Sequence, residues 1–411
     1  MKKWLVCGAC GTQYRLNAPS GLCLRCQESG RLQGLEVSYD YAALSPSRKK
    51  AFVQRGRSIW DFSDLLPFDE GVVPVTLGEG MTPLTPMLAA SRMGFRHIYT
   101  KNESVNPTWS HKDRFNSVAI TKVRELGHSR VVGTSTGNQG ISTAAYAARA
   151  DLRSTILFPA ETPKLMVDLA SQYGALSIVT QWHARDSMVQ RLMELGWFPV
   201  VSLKNRELTS PYGIEGYKTI AYEILADLGA APDKVLVPVA GGNALYGIYK
   251  GFRELQEMKL IERIPQMIAC QASGANVVEK AFKQGLERIG TQPGAYSIAT
   301  STREETAGDH VLAAIYRSGG DTVTVSDGEI QDCMRTLAKE GLCAEAASAL
   351  PTAALFKLIG EKKFKETDTA VCLLTSGGCK SPDILSDLRP PAVRIEASLS
   401  ALQQVLERMG L

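Results

Sequence analysis

From about Gly80 onward the chain repeats one order: a short apolar run, a turn of small residues, then an amphipathic stretch. "RVVGT" passes through "STGNQG" into "ISTAAYAARA"; "STILFPA" and "ALSIVT" follow; "KVLVPVA" passes through "GGN" into "ALYGIYKGFREL". Near the end "TAVCLLT" runs through "SGG" into "CKSPDIL". Short apolar strands alternating with helices predict an α/β fold of parallel sheets covered by helices on both faces. A further helix is predicted after "NPTWSHKDRF". Phe115, Val118, Ala119, Val123 and Leu126 recur there at helical spacing, and Ser110 with Asp113 is a capping-box signal.

The amino-terminal part lacks this rhythm and divides the chain. Residues 1–45 read as a separate zinc-ribbon-like unit, with two Cys-x-x-Cys knuckles, polar turns and the strand-like "LEVSYDY". Residues 46–101 read as an approach segment that packs on the larger domain and contains the ordered loop "LGEGMTPLTPML". A smaller α/β domain at 102–203, carrying Lys112, and a larger one at 204–411 complete the expected organisation, with boundaries near Asn102 and Lys204.

Composition narrows the class. Hydrophobic content of 44% and charged content of 21% over 411 residues describe a globular protein. The net charge of +4 is diffuse, with no basic run longer than Arg48 to Lys50, which argues against a nucleic-acid partner or an anionic membrane surface. No apolar run approaches the roughly 18 to 20 residues that span a bilayer, and "MKKWLVCGACG" lacks the pattern of a signal peptide. A cytoplasmic protein is expected. Four of the nine cysteines, Cys7, Cys10, Cys23 and Cys26, cluster as two pairs, and four thiolates spaced this way suit a structural zinc ion. The alternative is a ribbon that keeps its thiols without metal.

Lys112 changes the picture most. It falls in the first turn of the helix predicted after "NPTWSHKDRF", where the helix dipole disfavours a cation and favours a neutral amine. Ala240, Gly241, Gly242 and Asn243 lead from a strand into a helix, so converging N–H groups form a cup for one phosphate. Ser135, Thr136, Gly137 and Asn138 sit at the mouth of another helix, suited to a carboxylate, and Thr375 ends an apolar strand with a hydroxyl. Taken one at a time, each is an ordinary turn or cap. Together they meet the needs of pyridoxal phosphate chemistry, in which a lysine amine forms a Schiff base and the cofactor serves as electron sink.

At this point the sequence resembles the threonine synthase branch of the pyridoxal-phosphate enzymes of the tryptophan synthase β fold. "GEGMTPL" (Gly78 to Leu84), "NPTWSHKDR" (Asn106 to Arg114), Ser135 to Asn138, Glu215, Gly216, Lys218 and Thr219, and Gly241 to Asn243 match that family's motifs. The resemblance gives Lys112 the Schiff-base role, Asn138 the cofactor's phenolic oxygen and Thr375 the pyridine nitrogen. Ser135, Thr136 and Gly137 take the substrate carboxylate, and Lys218 joins the substrate-binding set; His111, which sits beside Lys112, is a further substrate-binding candidate that would help bind phosphate or relay a proton. It also implies two αβα domains and a homodimer.

Departures fall on the substrate side. Trp109, His111 and Phe115 replace the family's Gly, Phe and Gly, and "PYGIEG" places Gly213 where an arginine helps hold the substrate phosphate. The closing segment reads "TSGGCK". The expected activity is elimination and replacement on an amino acid with an activated side chain, foremost O-phosphohomoserine to threonine. β-Replacement on phosphoserine or acetylserine, or dehydration of serine or threonine, is the alternative. A non-catalytic ribbon protein with a degenerate enzyme body is a reading of another class, opposed by the retained Lys112, Asn138 and phosphate cup.

Overall fold

The computed structural model describes residues 1–18, 21–30, 33–200, 210–388 and 392–409. The expected boundary at 203/204 lies outside the described residues.

Three sheets organise the chain. Strands β1 (Lys3–Cys7), β2 (Gln13–Tyr14) and β3 (Leu35–Tyr39) form an antiparallel ribbon in the order β2-β1-β3. The largest sheet has the order β12-β11-β10-β13-β5-β4. It comprises β4 (Leu84–Pro86), β5 (Ile98–Asn102), β10 (Lys234–Pro238), β11 (Gln266–Ala272), β12 (Asp321–Val325) and β13 (Ala370–Leu374). All its pairings are parallel except the edge pair β4–β5. The third sheet is parallel, in the order β8-β7-β6-β9, from β6 (Arg130–Thr134), β7 (Arg153–Pro159), β8 (Leu176–Thr180) and β9 (Phe198–Pro199). Strand β13 is buried at every position, as its unbroken "AVCLL" requires of a strand covered on both faces.

Helices α1 (Lys112–Glu125), α2 (Asn138–Arg149), α3 (Arg185–Glu194), α4 (Ile214–Leu228), α5 (Asn243–Glu257), α6 (His310–Arg317) and α7 (Ala346–Gly360) matter for the site. Helix α1 lies deep between α2 and α4, so even its polar residues Asn116, Ser117 and Thr121 are buried. The capping box expected at its start does not form. Ser110 Oγ accepts from Lys112 N–H (3.3 Å), but the Asp113 carboxylate accepts from Thr108 N–H (2.6 Å), Thr108 Oγ1 (2.5 Å) and Ser142 Oγ (2.6 Å). Two donors from Thr108, five residues upstream, and one from α2 take the carboxylate that the box would have used.

Several motif residues build the scaffold rather than the site. Arg114, wholly buried, donates to Glu103 (2.6 and 2.8 Å), to both Glu223 oxygens, to Thr219 (2.9 Å) and to Thr82 (3.2 Å). Glu223 in turn accepts the N–H groups of Met81 (2.9 Å) and Thr82 (3.2 Å), tying the "GEGMTPL" loop to α4. A buried charged guanidinium is tolerable because each of its hydrogens finds a carboxylate or hydroxyl.

The ribbon, which the sequence sets apart, shares one core with the body. Leu5, Leu35, Val37 and Tyr39 pack in the same cluster as Ile220, Ile248 and Phe252. Tyr39 donates to Glu215 (2.6 Å), and Lys250 donates to Glu215 (2.5 Å) and to the Val37 carbonyl, so β3 is fastened to α4 and α5 by buried charge. Among the described residues no helix is long and apolar enough to cross a membrane.

Candidate active site

In parallel sheets ligands bind beyond the carboxyl ends of the strands. Here the turns after β6, β10 and β13 converge on one cavity of about 1050 Å³. Lys112, His111, Ser135, Thr136, Asn138, Ala240, Gly241, Gly242, Asn243 and Thr375 all line it. Of the residues expected at the site, Gly137 and Lys218 do not. Gly137 forms the turn before α2, and Lys218 is buried behind the wall, paired with Glu215 (2.6 Å) and Glu254 (3.0 Å) and lying over the Tyr39 ring. The expectation that Lys218 binds substrate followed from its neighbours in the motif; its amine is already occupied by carboxylates.

Lys112 opens α1 with its amine in the cavity, 5.9 Å from the centre of the Tyr217 ring. Burial lowers its pKa to about 8, against the pull of Glu345 and Glu304. The backbone N–H of His111 donates to the Thr375 carbonyl (2.9 Å), and its ring stacks on Tyr217 at 5.3 Å. Its pKa falls well below the usual value through burial and the nearby Lys112, so the imidazole is neutral. Trp109 lies outside the cavity with φ at 59°, a left-handed conformation that bulky residues rarely adopt. Its carbonyl accepts from Ser376 Oγ (2.9 Å) and Gly377 N–H (3.1 Å), clasping the turn after β13.

The phosphate cup is a bare-backbone turn. Gly242 has φ at 94°, and a Cβ there would lie 2.6 Å from Val311. Nothing lies within 4 Å of a Cβ on Gly241, and α5 starts at Asn243, so the helix amino terminus opens on the cavity with bare backbone, as an anion site requires. Elsewhere on the lining the Thr375 hydroxyl meets that of Ser348 at 2.8 Å, a neutral pair with no carboxylate in it. A lysine amine, a bare-backbone helix start and a neutral hydroxyl pair on one cavity form a donor set that fits pyridoxal phosphate in both its phosphate and its pyridine nitrogen.

Asn138 is held from three sides: its amide nitrogen donates to both Glu345 oxygens (3.0 Å), and its oxygen accepts from Lys380 Nζ (2.7 Å) and Ser376 Oγ (3.2 Å). Glu345, the N-cap residue of α7, was not anticipated, and burial raises its pKa while Lys380, Asn138, Ser301 and Lys112 oppose the rise. Tyr217, Ser301, Arg185 and Glu304 also line the cavity unanticipated. The one sequence signal for Glu345 was an acid placed directly before a helix that is apolar nearly all round.

The residue in the arginine's position has a definite neighbour. A Cβ on Gly213 would stand 2.4 to 2.6 Å from three ring carbons of Phe115, which lines the cavity.

Comparison with known proteins agrees with this construction. The family model described as "Pyridoxal-phosphate dependent enzyme" matches residues 75–376. The threonine synthase of Methanocaldococcus jannaschii is 33% identical over 410 residues, covering 98% of this chain and 99% of that protein. The threonine synthase of Methanosarcina acetivorans is 32% identical, covering 98% of each. Among solved structures, a fungal L-serine ammonia-lyase from Rhizomucor miehei shares the fold with a TM-score of 0.65 at 20% identity, covering 75% of this chain and 99% of that one. The chain therefore belongs to the pyridoxal-phosphate dependent enzymes, within their threonine synthase-like branch.

Proposed function

We propose that the protein catalyses elimination and replacement on an amino acid with an activated side chain, with conversion of O-phosphohomoserine to threonine as the leading reaction. The observation that carries this reading is the single cavity holding Lys112, the Gly241–Asn243 cup and the Thr375–Ser348 pair. Bound there, the cofactor would supply the electron sink for charge developing at the substrate's α carbon.

The protein's own residues do the rest. Ser135, Thr136 and the amino terminus of α2 bind the substrate carboxylate and fix which α bond faces Lys112. The Lys112 amine, whose pKa of about 8 leaves a useful neutral fraction near pH 7, takes the α proton. The hydroxyls of Thr375 and Ser348 would face the pyridine nitrogen as neutral partners, and a neutral partner favours loss of the side-chain group over transamination. Neutral His111, stacked on Tyr217, forms the wall of the cavity beside the lysine.

Phe115 over Gly213 favours a second reading, β-replacement on an activated serine or dehydration of serine or threonine, because it fills the place of a phosphate-binding arginine. The experiment that separates the two mixes cofactor-loaded protein with homoserine phosphate, phosphoserine, acetylserine, serine and threonine, following the visible spectrum and product release. Turnover of homoserine phosphate to threonine supports the leading reaction. Turnover confined to phosphoserine, acetylserine, serine or threonine supports the second, and none with any of the five refutes both.

The reading extends to the ribbon, the assembly and the compartment. The four thiols lie within 4.8 Å of one another, Cys7 to Cys26 at 3.8 Å and Cys10 to Cys23 at 3.5 Å. Sulfurs around zinc at about 2.3 Å stand roughly 3.8 Å apart, so the cluster suits a structural zinc ion. A homodimer acting in the cytoplasm completes the proposal, supported by family resemblance and by free thiols throughout the described chain.

A further inference from the structure

The cavity contains a carboxyl group that nothing above has used. Glu304 lines it, yet its side chain makes no hydrogen bond and no ion pair among the described residues. Its neighbours are pinned. Arg303 donates Nε to the Ser297 carbonyl (2.7 Å) and lies over the Tyr296 ring, while Glu305 accepts from Gln292 N–H (2.7 Å) and, through its side chain, from Gly294 N–H (3.1 Å). The Glu304 N–H donates to the Thr302 carbonyl (2.9 Å), completing a tight turn that leaves this one carboxyl to the cavity. It stands near enough to Lys112 for each to shift the other's ionisation.

We propose that Glu304 is the acid–base residue for the side-chain half of the reaction. For a β leaving group, the pair left at the α carbon forms the new α–β double bond as the Cβ–O bond breaks, and the departing oxygen takes the Glu304 proton; for a γ leaving group Lys112 also moves a β proton, whose electron pair forms the β–γ double bond as the Cγ–O bond breaks. The resulting carboxylate then takes a proton from the incoming nucleophile as the new bond forms, and the acid is restored. Lys112 handles the α proton, and Glu304 handles the group beyond it. Burial supports this division, since it raises the Glu304 pKa and favours the protonated form. Arg185 and Lys112 favour the carboxylate, and Glu305 and Asp186 oppose it.

The assignment rests on the elimination–replacement reading, so the test separates the two. Glu304→Gln is loaded with pyridoxal phosphate, and uptake of solvent deuterium at the α carbon is measured beside side-chain release from serine, threonine, phosphoserine, homoserine phosphate and β-chloroalanine. Chloride leaves without a proton; the oxygen groups do not leave well without one. In Glu304→Gln deuterium uptake and chloride release should fall less than about 3-fold, and release of an oxygen leaving group by roughly 100-fold or more, the usual share of a general acid. Glu304→Asp should recover part of the loss. Equal slowing of both leaving groups, or of neither, overturns the assignment. So does a wild type that exchanges the α proton but releases no oxygen group. A wild type that exchanges no α proton removes the underlying reading itself.

Discussion

The Phe115 ring occupies the space into which any side chain at position 213 would project, so Phe115 and Gly213 form one steric unit at the edge of the active-site cavity. Gly213→Ala should therefore destabilise the protein by about 1–3 kcal/mol through overpacking. In a Phe115→Gly background the same change should cost nearly nothing. Denaturant unfolding of the four proteins of this cycle checks it; additive effects would show that the two positions do not share the space.

Arg114 spans Glu103 and Glu223 from within α1. Arg114→Met leaves Glu103 buried without its cation and should lower stability by about 3–5 kcal/mol, seen as a lower denaturation midpoint. A loss under about 1 kcal/mol would mean that the clasp is not a principal support of the fold.

Burial makes Lys112 lose its proton near pH 8 rather than at its ordinary 10.5. A lowered lysine pKa enlarges the neutral fraction at a given pH: half at pH 8, against roughly 0.3% for an unperturbed amine. Cofactor attachment to the cofactor-free protein, followed by stopped-flow absorbance, should quicken about tenfold per pH unit up to about pH 8 and then level. A rate still climbing at pH 10 contradicts the lowered pKa.

Removing Cys23 and Cys26 by substitution with serine should abolish one equivalent of bound zinc, measured by elemental analysis. Because Leu35, Val37 and Tyr39 share the core of α4 and α5, thermal stability should fall with it. Absence of metal from the wild type as well contradicts the zinc proposal.

Much of this architecture was legible in the chain because its signals are local. Strand, glycine-rich turn and helix follow each other in sequence, so the cup at Gly241–Asn243 and the lysine at α1 were visible before any tertiary contact was known. Glu304 and Glu345 were not, because an acid in a turn looks solvated until tertiary packing takes water from around it. Lys218 and the Ser110–Asp113 capping box failed for the same reason in reverse. Both look free in the sequence, yet near and distant partners together take them up: Glu215 and Glu254 for the lysine, Thr108 and Ser142 for the aspartate. The ribbon's fusion with the body was equally hidden, since it depends on Tyr39 reaching Glu215 across 176 residues of chain.

The central claim, that Lys112 works with pyridoxal phosphate to strip the α proton of an amino acid, is tested most directly by proton magnetic resonance in heavy water. Cofactor-loaded wild type mixed with serine, threonine, phosphoserine or homoserine phosphate should lose the α-proton signal of at least one of them, and Lys112→Ala, loaded alike, should lose none. Undiminished α-proton signals with every substrate in the wild type, or equal loss in Lys112→Ala, would contradict the account.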